Sequence, residues 1–291
     1  MRVHLVDASP YIFRAWFALP EMLDTAGRPA SAVYGFASFV LRYLAEQSPT
    51  HLGFAFDESL TTSFRNEIYP EYKAQRELPP QELVDQLAAC KEMAAALGAP
   101  YYSDIRYEAD DLIGTLTAQL LPDGHEVVVV SSDKDLAQLV DDRVELFDFA
   151  KDKHYGVAEV REKFGVRPDQ IADYLGLAGD SVDNIPGVAG VGAKTAVALL
   201  TEFGSLEELY ADLERVEQLG LRGARSVRRK LEEGHESARL SKNLATVACD
   251  APATARIDEL EYNGADRERV DALFAKFGFG TLRARIRRWK D

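Results

Sequence analysis

Cysteine is scarce. Cys90 and Cys249 are the only two in 291 residues, and neither has a metal-ligand neighbour. That excludes a disulfide framework and a cysteine zinc site, and both are expected as buried thiols in a reducing cytoplasm. The five histidines are scattered without paired spacing, so a histidine zinc site is not expected either. No run of about 18 apolar residues exists, which leaves no membrane-span candidate. The start, MRVHLVDASPYIF, lacks a basic segment leading into a long apolar stretch, so no secretory leader is expected. Positive charge is also short: 34 Lys and Arg against 48 Asp and Glu give a net −14. A basic footprint is the usual sign of a nucleic-acid protein. The deficit is not decisive, because acids packed into a metal site are offset by bound cations and leave local basic stripes free to hold phosphate.

What is present is an ordinary globular composition, 46% hydrophobic, enough to bury the core of one large domain or two close lobes. Three short apolar runs stand out: Val3–Val6, Leu52–Phe56 and Val127–Ser131. Between them, residues 31–46 and 81–97 carry helical apolar spacing. Continuous β-branched runs separated by helices predict a parallel sheet covered on both faces. The runs are followed by Asp7, Asp57 and Asp133, and ligands of open α/β sheets sit beyond the carboxyl ends of strands. One such Asp is an ordinary turn residue; three at one sheet edge are hard to explain by turn chemistry. Between Glu58 and Pro80 the periodicity weakens into a mixture of aromatic and basic residues, long for a connection and therefore a functional candidate. From about residue 157 the pattern turns to short helices and Gly-rich turns, which places a lobe boundary there. The basic end, FGFGTLRARIRRWKD, is expected to finish as helix.

Acids recur in three further places. In YEADDLIGTL, Glu108, Asp110 and Asp111 open a helix, and Glu108 and Asp111 share a face. Acids suit a helix N-terminus, but three carboxylates in four residues repel one another without a cation. In SSDKDLAQL, Asp133 and Asp135 follow the Val-rich strand. An N-cap is the plain alternative. An aspartyl phosphotransfer site needs its D-x-D after the first strand, which here ends in DAS. LAGDSVDNIPG adds Asp180 and Asp183, bringing the set to nine carboxylates. An all-oxygen donor set suits Mg2+ or Mn2+, and carboxylates from several strand ends can hold two such ions about 4 Å apart for phosphodiester hydrolysis.

In IPGVAGVGAKTAVALL the phosphate-loop reading fails, because Ala193 intrudes between Gly192 and Lys194-Thr195 and no strand precedes the segment. What remains is a Gly190-Val191-Gly192 turn opening a helix, whose exposed amides and Lys194 suit a DNA backbone in the manner of a helix-hairpin-helix. A plain helix–helix turn is the alternative.

In this order the segments LVDASPYIFRAWFA, FAFD with FRNEIYPEYKAQR, YEADDLIGTL, SSDKDLAQLV and LGLAGDSVDNIPGVAGVGAKTA span nearly the whole chain. The chain resembles the bacterial 5′-3′ exonucleases, the family that includes the 5′ nuclease domain of DNA polymerase I and the flap endonucleases. The resemblance implies an α/β fold: a PIN-like parallel-sheet nuclease domain over 1–160, with a helical arch at about 58–80, and an all-α helix-three-turn-helix lobe over 161–291. It implies metal ligation by Asp7, Asp57, Glu108, Asp110, Asp111, Asp133, Asp135, Asp180 and Asp183. Lys73, Arg76, Asp110 and Asp111 are implied in catalysis. Arg14, Arg65, Tyr72, Lys73, Arg76, Gly190, Gly192, Lys194 and Thr195 are implied in DNA contact, with Tyr72 stacking on a base. Potassium would bind main-chain oxygens of Leu177, Ala178, Pro186, Val188 and Val191. The implied protein is a stand-alone cytoplasmic monomer using two Mg2+ or Mn2+ ions on DNA 5′ ends, flaps and junctions, and cooperating with a polymerase and a ligase. An RNA-directed nuclease and a non-catalytic junction-binding module are the alternatives.

Overall fold

The computed structural model describes residues 1–58 and 62–290. The first half alternates strands and helices: β1 (Arg2–Asp7), α1 (Ser9–Ala18), α2 (Ser31–Gln47), β2 (His51–Asp57), α3 (Phe64–Ile68), α4 (Gln81–Ala96), β3 (Tyr101–Asp104), α5 (Ala109–Leu120), β4 (Glu126–Val130), β5 (Val144–Asp148) and β6 (Lys153–Tyr155). The sheet order is β3-β2-β1-β4-β5-β6, with every pairing parallel except β5–β6. Both faces are covered, so the central strands are buried on both sides. Val3, Leu5, Val127 and Val129 face one core, while Val6, Val128 and Val130 face the other. The chain builds outward from β1 to β3, then crosses back to lay β4 against β1. The switch point between β1 and β4 opens a crevice at their carboxyl ends.

The second half is helical: α6 (Val157–Phe164), α7 (Ile171–Ala178), α8 (Ala193–Phe203), α9 (Leu206–Ala211), α10 (Ala224–Glu233), α11 (His235–Ala245) and α12 (Arg267–Phe277). α7 to α11 pack on the α5 side of the sheet. The chain does not stay in that lobe, as a 161–291 division expects. Beyond α11 it runs back along the sheet: Leu52 N–H donates to Leu260 C=O at 2.8 Å and Tyr262 N–H to Thr50 C=O at 2.8 Å. α12 and the following Phe279 and Leu282 join the core formed by α1, α2 and α4. Apolar surface left on α4 and α2 draws them there, since an uncovered apolar face costs free energy. The basic end is not α-helical: it forms a 3-10 turn over Gly280–Arg285, and Lys290 N–H then donates to Ala265 C=O at 2.9 Å. Cys90 is buried, but Cys249 is exposed, contrary to the expectation of two buried thiols. Among the described residues no helix is long and apolar enough to cross a membrane.

Candidate active site

The crevice at the switch point is where the acids gather. Asp7, ending β1, is 4% exposed; its carboxylate accepts from Ser9 N–H at 3.1 Å and from Ser131 Oγ–H at 2.9 Å. Ser131 Oγ in turn accepts from Asp133 N–H at 3.0 Å, so one hydroxyl ties the ends of β1 and β4 together. Asp57, ending β2, caps α5 by accepting from Ala109 N–H at 2.7 Å, which fixes the start of the helix that carries Glu108 and Asp110. Asp133 caps the next turn through Asp135 N–H at 2.9 Å. From the helical lobe, the hairpin between α7 and α8 brings Asp180 and Asp183; its neck is closed by reciprocal hydrogen bonds between Asp180 and Ile185 at 2.8 and 2.7 Å. Lys134 Nζ stands 2.6 Å from Asp180.

These carboxylates share one electrostatic field. Burial, then repulsion from Asp57, holds Asp7 well above the ordinary carboxyl range. Burial and the charges of Asp133, Asp7 and Asp57 do the same to Asp110. Asp133 is also raised, by burial first, and Asp135 is pushed up to about 8 by burial and by Asp133 and Asp183. Oδ1 of Asp135 is buried without a hydrogen-bond partner. Burying a carboxylate oxygen without a partner is costly. An oxygen-only set with this deficit fits Mg2+ or Mn2+. Among the described residues no three such side chains are already drawn into metal-holding geometry. Protein cations stand between them instead. Lys73 Nζ lies 2.5 Å from Glu108 and 3.6 Å from Asp183, and Arg76 lies 2.5 Å from Asp183. Burial alone would lower the Lys73 pKa, but Glu108, Tyr72 and Asp183 raise it well above normal, so the ammonium stays charged.

Three expected residues sit elsewhere than in the cleft's open face. Asp111 is fully buried and its carboxylate is saturated: Arg65 donates to it twice, at 2.7 and 2.8 Å, and the N–H groups of Glu108 and Ala248 donate at 3.0 and 2.8 Å. It has no free oxygen for a cation, which corrects its expected metal-binding and catalytic roles. Arg65 is 3% exposed and also donates to Leu244 C=O and Thr246 C=O, so its guanidinium is engaged inside the protein and is not presented to DNA phosphate. Tyr72 is 4% exposed, with its hydroxyl 3.3 Å from Glu108 and 3.4 Å from Asp183; its ring is not presented as a stacking face. All three lie in the segment expected as an arch or against it. That segment folds down on α5 as α3 and a series of turns, while residues 59–61 of the expected arch lie outside the described residues.

The other expected contacts are exposed or half-buried: Arg14 on α1, and Gly190, Gly192, Lys194 and Thr195 at the start of α8. Gly190 has φ of +75°, which favours glycine. Beside it, loops 177–179 and 185–188 abut so closely that a Cβ on Gly187 would meet Gly179 N at 2.4 Å. This brings the five expected potassium-binding carbonyl positions into one hairpin, where Leu177 C=O and Val188 C=O already accept backbone N–H groups. The sequence reading missed an apolar cavity of ≈ 400 Å³ that opens beside Asp57, Lys73 and Glu108 and is walled by Phe13, Trp16, Phe17 and Leu78. Phe17 and Leu78 are 79% and 65% exposed. The aromatic spacing on α1 was the available signal; exposure is what separates it from a core stripe.

The whole arrangement matches two domain models: a 5′-3′ exonuclease N-terminal resolvase-like domain over residues 2–165 and a 5′-3′ exonuclease C-terminal SAM fold over 166–268. The chain belongs to the 5′-3′ exonuclease family. It is 42% identical to DNA polymerase I of Bacillus subtilis (strain 168) over 286 residues, which is 97% of this chain and 32% of that protein. It is likewise 42% identical to DNA polymerase I of Pseudomonas aeruginosa over 276 residues, 94% of this chain and 30% of that protein. The chain thus spans about a third of the length of the curated relatives it matches. The fold is shared with T5 5′-exonuclease bound to divalent metal ions (zinc), at a TM-score of 0.70 and 21% identity, covering 95% of this chain and 99% of that one. It is also shared with the catalytic core of Rad2 in complex with DNA substrate, at 0.64 and 17%, covering 98% and 90%.

Proposed function

We propose that the chain is a divalent-metal-dependent, structure-specific 5′ nuclease. It hydrolyses DNA phosphodiesters near 5′ ends, flaps and single-strand/duplex junctions, leaving a 5′-phosphate and a 3′-hydroxyl, in replication and repair. The observation that carries this reading is the convergence of Asp7, Asp57, Glu108, Asp110, Asp133, Asp135, Asp180 and Asp183 on one crevice from distant parts of the chain, with Asp135 Oδ1 left unpartnered. The DNA substrate of one fold neighbour and the divalent ions of another support it.

These eight acids would hold Mg2+ or Mn2+; when bound, such ions lower the pKa of water and stabilise charge on the phosphate. The chain's own residues do the rest. Lys73 and Arg76 are cationic, reach into the cleft, and are free to exchange their carboxylate partners for phosphate oxygens. The exposed amides at the start of α8, with Lys194, hold duplex backbone without reading sequence. The carbonyls of the adjoining hairpin (Leu177, Ala178, Pro186, Val188 and Val191) form the cradle for K+ there. The Phe13–Trp16–Phe17 wall offers apolar faces to unpaired bases near the scissile bond.

The test is cleavage of a labelled 5′-flap duplex with and without Mg2+, by the wild-type chain and by Asp110→Asn combined with Asp135→Asn, and with a matching RNA flap in parallel. Mg2+-dependent cutting of DNA that the double variant abolishes supports the reading. Cutting that survives the double variant, or only of RNA, overturns it.

A further inference from the structure

Two residues facing one another across the cleft have left-handed backbone, which asparagine tolerates and lysine disfavours. Lys73 has φ of +54° and Asn184 has φ of +58°. At Lys73 such a conformation costs free energy and persists only where the surroundings over-determine it. Here each segment holds the other. Lys73 N–H donates to Asp183 C=O at 3.0 Å. Asn184 Nδ2 donates to Glu71 C=O at 2.7 Å, and Gln75 Nε2 to Val182 C=O at 2.9 Å. One segment carries Lys73 and Arg76; the other carries Asp180 and Asp183.

We propose that Gln75 and Asn184 are positioning residues: their amides clasp the segment 71–76 to the hairpin 181–184 and so set where the Lys73 and Arg76 charges stand over the acids. Neither amide has a partner among the cleft's carboxylates. Each binds a main-chain carbonyl of the opposite segment, which is how uncharged side chains fix backbone without altering the cleft's charge. The turn at Lys73 aims its side chain from a left-handed residue. Once the opposing carbonyl at Asp183 moves, that residue relaxes toward a right-handed or extended φ and the ammonium swings away. The segment before α4 and the hairpin before α8 therefore order together, which couples DNA held by the helical lobe to cations placed in the nuclease half.

This inference rests on the nuclease reading, and its test separates the two. Asn184→Gly keeps the left-handed backbone but removes the donor, and Gln75→Met keeps the length but removes the donor without adding charge. With 5′-flap DNA and Mg2+, each is expected to lower kcat about tenfold, with KM within about twofold and thermal stability nearly unchanged, because a small misplacement of a reacting group is costly. Amide hydrogen exchange over 71–76 is expected to quicken in both. Unchanged exchange, unchanged kcat, or a joint fall of kcat, affinity and thermal stability overturns the clasp. A wild-type chain that cuts nothing sinks the nuclease reading and the positioning role with it, while the exchange result still decides whether the segments are clasped.

Discussion

Replacing Arg65 by Ala tests the sharpest departure from the sequence reading. A phosphate-binding arginine and a buried structural one predict opposite outcomes. Arg65 is 3% exposed and Asp111 fully buried; they share two hydrogen bonds of 2.7 and 2.8 Å. Burial alone would lower the Arg65 pKa, but the bond to Asp111 outweighs it and holds the guanidinium firmly charged. In Arg65→Ala the Asp111 carboxylate keeps only two main-chain donors, Glu108 N–H and Ala248 N–H, and stays buried. Leu244 C=O and Thr246 C=O also lose their partner. Breaking a buried pair from one side costs about 3–5 kcal/mol. Against a total stability of about 5–15 kcal/mol, that leaves a marginal fold. Arg65→Lys loses the planar fork and is expected to recover only part of it. The double variant Arg65→Met with Asp111→Leu removes both charges, so its loss should fall short of the sum of the two single losses by about 2 kcal/mol. Urea unfolding followed by circular dichroism measures stability, and fluorescence anisotropy of a labelled flap duplex measures binding. An Arg65→Ala variant that loses less than about 1 kcal/mol while flap affinity falls tenfold refutes the reasoning and restores Arg65 to the DNA interface.

Further outcomes are expected at four residues. His4, on β1, is held neutral, its pKa lowered to about 4 by burial first and then by Arg2 and His154. Stability it contributes is complete above the unfolded value of 6.5 and is lost as pH falls toward 4, by up to about 3 kcal/mol; the difference between wild type and His4→Gln in denaturant midpoints at pH 7 and 5 should show it, and a pH-independent difference refutes it. Asp135 behaves oppositely, since its folded pKa is raised from 3.8 to about 8: without metal, the stability of the wild type relative to Asp135→Asn should fall as pH rises through that window. Mg2+ should raise the melting temperature of the wild type more than that of the variant, and equal shifts by calorimetry would remove Asp135 from the metal set. Lys194→Ala should weaken duplex binding and reduce the slope of log affinity against log salt by about one, so an unaltered slope in a salt titration takes Lys194 off the phosphate track. Phe17→Ala, at a 79% exposed position, should leave unfolding unchanged but cost about 1–3 kcal/mol of affinity for a single-stranded flap; loss of duplex affinity instead would contradict the base-stacking role.

The strands with the strongest apolar runs were legible because burial on both sheet faces demands uninterrupted Val, Leu and Phe. Tyr101–Asp104 and Val144–Asp148, at or next to the sheet edges, were not: YYSD and VELFD are short and half polar, without the uninterrupted apolar run that marks a central strand. The helices at 31–47 and 81–96 announced themselves by periodicity. Of the acids, spacing along the chain pointed to a cluster but could not tell a cleft carboxylate from a buried one. Asp110 and Asp111 are neighbours on one helix turn, and the 100° between them puts one in the crevice and the other against Arg65. Arg65 and Tyr72 were misplaced for the same reason: a basic, aromatic stretch reads as a surface until its contacts are seen. The return of 260–290 to the sheet was invisible because it depends on apolar surface that α2 and α4 leave open, a tertiary property with no local signature.

The buried pair also bears on how the two sets of cleft acids are held in register. Asp180 and Asp183 come from the helical lobe, whereas the remaining cleft acids come from the sheet edge and α5. A metal or phosphate site tolerates only about half an ångström of drift between its parts. Apolar packing alone is non-directional and permits sliding. At this junction the contacts are directional: Arg65 reaches Leu244 C=O and Thr246 C=O, Asp111 receives Ala248 N–H, Gln138 bonds both Ala245 C=O and Val247 N–H, and Thr115 receives Ala251 N–H. Each bond joins the α5 side of the sheet to the stretch leaving α11, and α11 packs on α7, from which the Asp180 hairpin emerges. The register between the two acid sets is therefore fixed by polar bonds to main chain that no apolar replacement can reproduce. On this account Arg65→Met with Asp111→Leu leaves the junction loose although it buries no unpaired charge, so its Mg2+ affinity, measured by calorimetry on folded protein, should stay below that of the wild type; an unchanged affinity would show that the register does not depend on these bonds.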